Sequence, residues 1–275
     1  MSLLRVARIG ALAIAFAQGV FGASPSLPSD QAQVLQIARE YALGYAEKLP
    51  DFICLQITSR DNFSQKLTPS VQSQGRSPVP LPLSESSGKG DRIVERLTYF
   101  NGTEKYEVIS IDGNPAPPGT DHLKLVGAIS AGEFGTALRD IFDSRSGTEF
   151  NWHGIRRIRG HRAYAYEFRV PKEAGIELRD VSRGADVEVG YKGLVFVDAE
   201  TRQVVRMTST LDLPSGLSIT AAERSVDYEW VTIADKKYTL PVRSEVMLQN
   251  DDSRYVNRIE FKGYRKFGTE STIHY

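Results

Sequence analysis

Hydrophobic residues recur along this chain with two periods. Near the amino terminus Val34, Ile37, Ala38, Tyr41, Ala42 and Tyr45 return every three or four positions, the spacing that lines side chains along one stripe of an α-helix. Ser29 or Asp30 can cap that helix, and Leu49-Pro50 ends it because proline disfavours a helical residue before it. From Phe52 the period drops to two. Ile53, Leu55 and Ile57 alternate with Cys54, Gln56 and Thr58, which predicts a first strand over 52–58. Asn62 to Gly90 then turns to serine, glutamine and proline, with Pro69, Pro78, Pro80 and Pro82 opposing regular pairing. A long loop is expected over 62–90.

Hairpins dominate the rest of the chain. Arg92 to Phe100 and Glu104 to Ile111 flank Asn101-Gly102, the pair best suited to the two positive φ angles of a type I′ turn. A second helix is expected from Ser130, where Ser130 and Glu133 have capping-box spacing and Phe134, Leu138, Ile141 and Phe142 share a face. Phe150 to Ile158 and Arg162 to Val170 flank Gly160-His161, read as a type II′ turn. In the latter strand Tyr164, Tyr166, Phe168 and Val170 alternate with Ala163, Ala165, Glu167 and Arg169, so one face is strongly aromatic. Val187 to Val197 and Gln203 to Leu213 form the next pair, with Val205, Met207 and Leu211 pointing one way. Ile219 to Ile233, Tyr238 to Leu248 and Arg254 to Phe267 complete the series, the middle one keeping Leu240, Val242, Val246 and Leu248 on one side.

Alternation of this kind gives every strand one oily and one wet face. The expected fold is mainly β: a large curved antiparallel sheet of about nine to eleven strands, an open or half barrel, with two helices on its apolar face. Whether that barrel is hollow or filled by the helices stays open. Tyr164, Tyr166, Phe168, Val205, Met207 and Leu211 line a ligand cavity in one case and are core in the other.

The ends and composition narrow the setting. Arg5 and Arg8 precede an apolar stretch from Ile9 to Phe16, too short to span a bilayer, and Val20 to Ala23 supply the small-residue exit of a signal peptide. Residues 1–23 are therefore expected to be a cleaved leader and 24–275 a single β domain without an integral membrane segment, periplasmic or secreted. The one cysteine, Cys54, lies far from that leader, so it makes neither a lipid attachment site there nor an internal disulfide. Lysine plus arginine number 34 and aspartate plus glutamate 34; this balance provides no field for nucleic acid.

Candidate chemistry is sparse. Ala128-Ile129-Ser130-Ala131-Gly132 departs from a nucleophile elbow at its first position and lacks the parallel sheet that such an elbow needs, so helix capping accounts for Ser130 and an envelope hydrolase is a remote alternative. His122, His153, His161 and His274 stand apart from any metal-ligand spacing and read as surface or turn residues. No catalytic residue, metal or cofactor is expected. Arg156, Arg157, Arg159 and Arg162 form a basic cluster on one hairpin, able to meet an anionic head group or an acidic partner.

Two segments, Gly193-Leu194-Val195-Phe196-Val197-Asp198 with Thr201-Arg202-Gln203-Val204-Val205-Arg206, and Lys237-Tyr238-Thr239-Leu240-Pro241, resemble the lipoprotein-carrier superfamily that includes LolA and LolB. The resemblance covers the second half of the chain. It implies a half-open barrel lidded by helices, a non-catalytic role, and a lipid or lipoprotein acyl chain as ligand, but transfers no individual contact residue. The alternative is an envelope scaffold that uses its loops or a sheet edge to pair with another envelope protein.

Overall fold

The computed structural model describes residues 29–65, 85–122, 134, 136–180 and 185–268. The leader expected over 1–23 and the Ser130/Glu133 capping box lie outside the described residues. The chain runs through α1 Ser29–Leu43, α2 Tyr45–Lys48, β1 Phe52–Gln65, β2 Glu85–Phe100, β3 Thr103–Ile111, β4 Asn114–Pro115 and α3 Thr136–Phe142. It continues through β5 Glu149–Ile158, β6 His161–Val170, β7 Ile176–Asp180, β8 Ala185–Val189, β9 Tyr191–Asp198, β10 Val204–Leu211, β11 Ile219–Ile233, β12 Lys236–Asn250 and β13 Ser253–Lys266. Eleven strands make one antiparallel sheet in the order β4-β3-β2-β1-β13-β12-β11-β10-β9-β6-β5, while β7 and β8 pair as a separate ribbon. The sheet is not closed into a barrel: β4 and β5 stand at its two ends.

Its inner face is apolar over most of the sheet, but β1 turns Phe52, Cys54, Gln56 and Thr58 inward and leaves Leu55 exposed, the reverse of the expected alternation. Val34, Leu35, Ala38 and Ala42 of α1 and Leu138, Ile141 and Phe142 of α3 pack with Tyr166, Phe168, Val195, Met207, Val226 and Tyr228. A second cluster gathers around Phe134, whose ring sits 5.3 Å from Phe52 and edge-on to Phe261 at 5.2 Å. Full burial of each such side chain contributes about 1.5–3 kcal/mol. The Tyr45 hydroxyl, buried in the same face, donates to the Thr239 carbonyl at 2.6 Å and ties α2 to β12. The outer face carries cross-strand ion pairs instead: Arg206 with Asp227 at 2.5 and 2.9 Å, Arg96 with Glu107 at 2.9 Å, and Arg258 with Glu245 at 3.2 Å.

Several local expectations are corrected. β1 and β2 pair as far as Gln65 and Glu85, with Asn62 opposite Gly88, so both ends of the expected 62–90 loop are strand. Residues 66–84 lie outside the described set. The hairpin after β5 turns at Arg159-Gly160, with φ of 49° and 88°, and not at Gly160-His161. It is therefore a type I′ turn, in which glycine takes the second place and arginine bears the first positive φ. The strand expected over 187–197 breaks at Gly190: β8 leaves to pair with β7, and only β9 joins the main sheet. In β12 the register shifts between Pro241 and Arg243, so Val242 is bulged and Ser244 takes the buried position. On α1, Ile37 is exposed and Leu35 is buried in its stead.

Two positions give direct tests. A Cβ on Gly193 would stand 1.8 Å from the Thr208 carbonyl oxygen of the neighbouring strand; Gly193→Ala should cost about 1–3 kcal/mol in urea denaturation through overpacking. Asp235 turns the β11–β12 hairpin at φ 46° without being glycine. Asp235→Gly should raise stability by on the order of 1 kcal/mol in the same assay.

Candidate functional site

The inner face is filled at one place and open at another. Tyr166 and Phe168 are fully buried among α1, α3 and β9. Towards β12 the short α3 no longer reaches across, and a cleft of about 280 Å³ remains. Its floor is Met207 and Leu211 of β10, Ala222 of β11, and Val246 and Leu248 of β12; Ala137 of α3 and Ile176 and Leu178 of β7 form its sides. Ile176 is 41% exposed at the mouth. The side chains follow from the strand period: i and i+4 on β10, i and i+2 on β12.

Among the described residues charge enters at Asp140, Glu223 and Arg224, with Tyr191 and Ser209 beside them. Burial pushes the Asp140 carboxyl above its ordinary range, against the pull of Arg139 and with a push from Asp143. Burial also pushes the Tyr191 phenol up to about 12, and the neighbouring Asp140 adds to this. A carboxylate held against its own ionisation at an oily wall is a place where a bound apolar chain makes the desolvation cost larger still.

The residues singled out in the sequence divide among different surroundings. Met207 and Leu211 line the cleft, Tyr166 and Phe168 are packed under the helices, and Tyr164 is half-buried beside them. Val205 is on the other face. A bulge between Val204 and Arg206 makes Val204 the inward residue, and Val205 packs with Ile158, Ala163, Ala165 and Phe196 on the outer side. The four arginines do not form one patch. Arg156 and Arg157 are exposed on β5. Arg159 folds back to donate to the Tyr228 carbonyl at 2.7 Å and to meet Asp227 and Glu229 at 3.4 and 3.3 Å. Arg162 lies over the Tyr164 ring.

Other polar residues prove structural. Asp198 accepts from the backbone of Glu200 at 2.9 Å and Thr201 at 2.8 Å; although burial opposes ionisation, these bonds hold its carboxyl below the ordinary range. It shapes the β9–β10 turn. His122, expected at the surface, is buried: its Nδ1 is 2.5 Å from Glu95, its ring stacks on Tyr106 at 4.3 Å, and Gln56 donates to the same carboxylate at 2.9 Å. Among the described residues no three of His, Cys, Asp and Glu gather as a cation-binding group, and no helix is long and apolar enough to cross a membrane.

No family model matches this chain, and no curated protein does. Solved structures similar to it include a domain described as an outer membrane lipoprotein-sorting protein from Vibrio parahaemolyticus, at 10% identity over 89% of this chain and 95% of that one, with a TM-score of 0.37. A DUF1329 family protein from Desulfovibrio piger follows at 10% identity, 87% and 95% coverage and 0.34. A LolA superfamily protein from Nitrosomonas europaea has 11% identity, 88% and 96% coverage and 0.30. What this chain binds is a question for its own residues.

Among the cleft residues not singled out from the sequence are Ala137, Asp140, Ile176, Leu178, Tyr191 and Arg224. Val246 and Leu248 were visible as one face of a strand; Ile176 and Leu178 sit on a ribbon that periodicity did not announce. The Asp140 carboxyl titrates in the folded chain above its unfolded value of about 3.9. The folded state therefore holds this proton more tightly, and stability falls as pH rises from that value through the raised folded one. Asp140→Asn should be more stable than the parent at pH 7 and lose that part of the pH dependence, as read from thermal midpoints between pH 3 and 8.

Proposed function

We propose that this chain is an exported, non-catalytic envelope protein that holds the apolar part of an amphiphile, a lipid or a lipoprotein acyl chain, in the cleft over β10, β11 and β12. One observation carries the reading: on the inner face the partly buried Leu211, Val246 and Leu248 continue from the buried Met207 and Ala222 into an apolar cleft of about 280 Å³ that the described helices do not fill. That space holds roughly nine groups of water or methylene size. It suits one medium-length hydrocarbon chain, or the end of a longer one. The leader expected over residues 1–23 supports a periplasmic or secreted setting for this role.

A second reading, pairing with an envelope protein, has its own support. β10 pairs with β11 only from Glu223 to Asp227, so among the described residues Glu229 to Ile233 has a strand on the β12 side alone. Trp230, 51% exposed, stands on this stretch, and an edge of this kind accepts an added strand.

Native mass spectrometry of protein purified without detergent should show an adduct of lipid mass, and a fluorescent acyl probe should be displaced by decanoate. Leu211→Lys and Leu248→Lys place a cation at the mouth or wall and should weaken probe binding about tenfold or more while leaving the fold intact by circular dichroism. A protein free of adduct that never takes up the probe would refute the reading.

A further inference from the structure

The inner face carries a second feature, at the opposite end of the same strands from the cleft. Tyr164 of β6 pairs with Val197, whereas the cleft residue Tyr191 pairs with Val170; six residues along a strand separate the two places, roughly 20 Å. Two guanidinium groups converge on the Tyr164 ring. The Arg162 carbon lies 5.7 Å and the Arg202 carbon 5.4 Å from its centre, and Trp152 stands 5.8 Å away on the other strand of the hairpin.

Among the described residues neither arginine has a carboxylate, and the acids of the same turn are engaged elsewhere. Asp198 is held by the backbone of its own loop, and Asp198 and Glu200 line a groove on the outer side with Trp230. Arg202 is also costly where it stands. Its φ is 61°, in the left-handed region that a long side chain seldom adopts, and its Nη1 is buried without a hydrogen-bond partner. Cation–π contact with one tyrosine is modest compensation for two like charges brought to one ring. A planar donor fork left unfilled in a half-buried position is the arrangement that an oxyanion completes.

We infer that Arg162 and Arg202, seated on Tyr164, form an anion site for a phosphate-type oxyanion, carried either by a small phosphorylated molecule or by a phospholipid head group. The site does not depend on the cleft. Arg202 Nη1 supplies the buried donor, and the exposed Arg162 closes on the anion from the solvent side. The left-handed conformation at Arg202 is what turns its side chain inward while Asp198 and Glu200 remain on the outer side.

Binding is read from Trp152 fluorescence in a Trp230→Phe background, since these are the two tryptophans of the chain. The full chain is titrated with inorganic phosphate at fixed ionic strength against chloride, and with vesicles of phosphatidylcholine alone or mixed equally with phosphatidylglycerol. A saturable response to phosphate assigns a soluble phosphorylated ligand; a response to the phosphatidylglycerol vesicles alone assigns a head group. Either should weaken about tenfold or more in Arg162→Gln and in Arg202→Asn. Asparagine accepts a positive φ, so Arg202→Asn should keep or raise the thermal midpoint, which separates loss of binding from loss of fold. Silence towards phosphate and both vesicle types, or an undiminished response in both variants, would overturn the assignment.

Discussion

One apolar sheet face is wider than the helices available to cover it. Eleven strands spaced about 4.8 Å apart span roughly 48 Å, whereas α1, with 15 residues, is about 22 Å long and α3 has only 7. Curvature brings part of the face around the helices. The remainder must either meet water or be covered by something else. Over β6, β9 and the inward Met207, Val226 and Tyr228 the helices fill the space with Leu35, Ala38, Ile141 and Phe142; beside Leu211, Val246 and Leu248 the described helices do not, and the cleft is the consequence.

That mismatch also explains where the polar groups stand. The filled region admits few, among them the Tyr166 hydroxyl, which donates to the Gln31 carbonyl at 2.9 Å. The open region tolerates Asp140 at its edge because water still reaches it. On the outer face no such pressure exists, and opposite charges simply alternate across strands. Gly193 and Asp198, which stand in the motif that resembles the lipoprotein carriers, are explained by backbone packing and turn formation alone. They fix the β9–β10 hairpin, and through it the inward direction of Met207 and Leu211.

The sheet was legible in the sequence because strand alternation depends on nearest neighbours only. Tyr164, Tyr166 and Phe168 could be placed on one face from spacing; the turn at Asn101-Gly102 followed from its residues. What escaped was whatever depends on a partner strand. The bulge that sends Val205 outward and the one at Val242 arise from register against β9 and β11, which no local pattern records. The same holds for the Arg162–Arg202 pair, joined only by the return of the chain after β9, and for the buried His122, whose partner Glu95 lies on another strand. A hairpin turn shifted by one residue, at Arg159-Gly160, reflects an arginine accepting a positive φ that propensity would have denied it.

The division of the inner face into a filled and an open region is most directly tested by intermolecular nuclear Overhauser contacts between the chain and a bound decanoyl chain. Contacts from the methyl groups of Met207, Leu211, Val246 and Leu248, with none from the rings of Tyr166 and Phe168, are the result expected. Contacts at those two rings, or a hydrocarbon that touches only the outer face, would contradict the account.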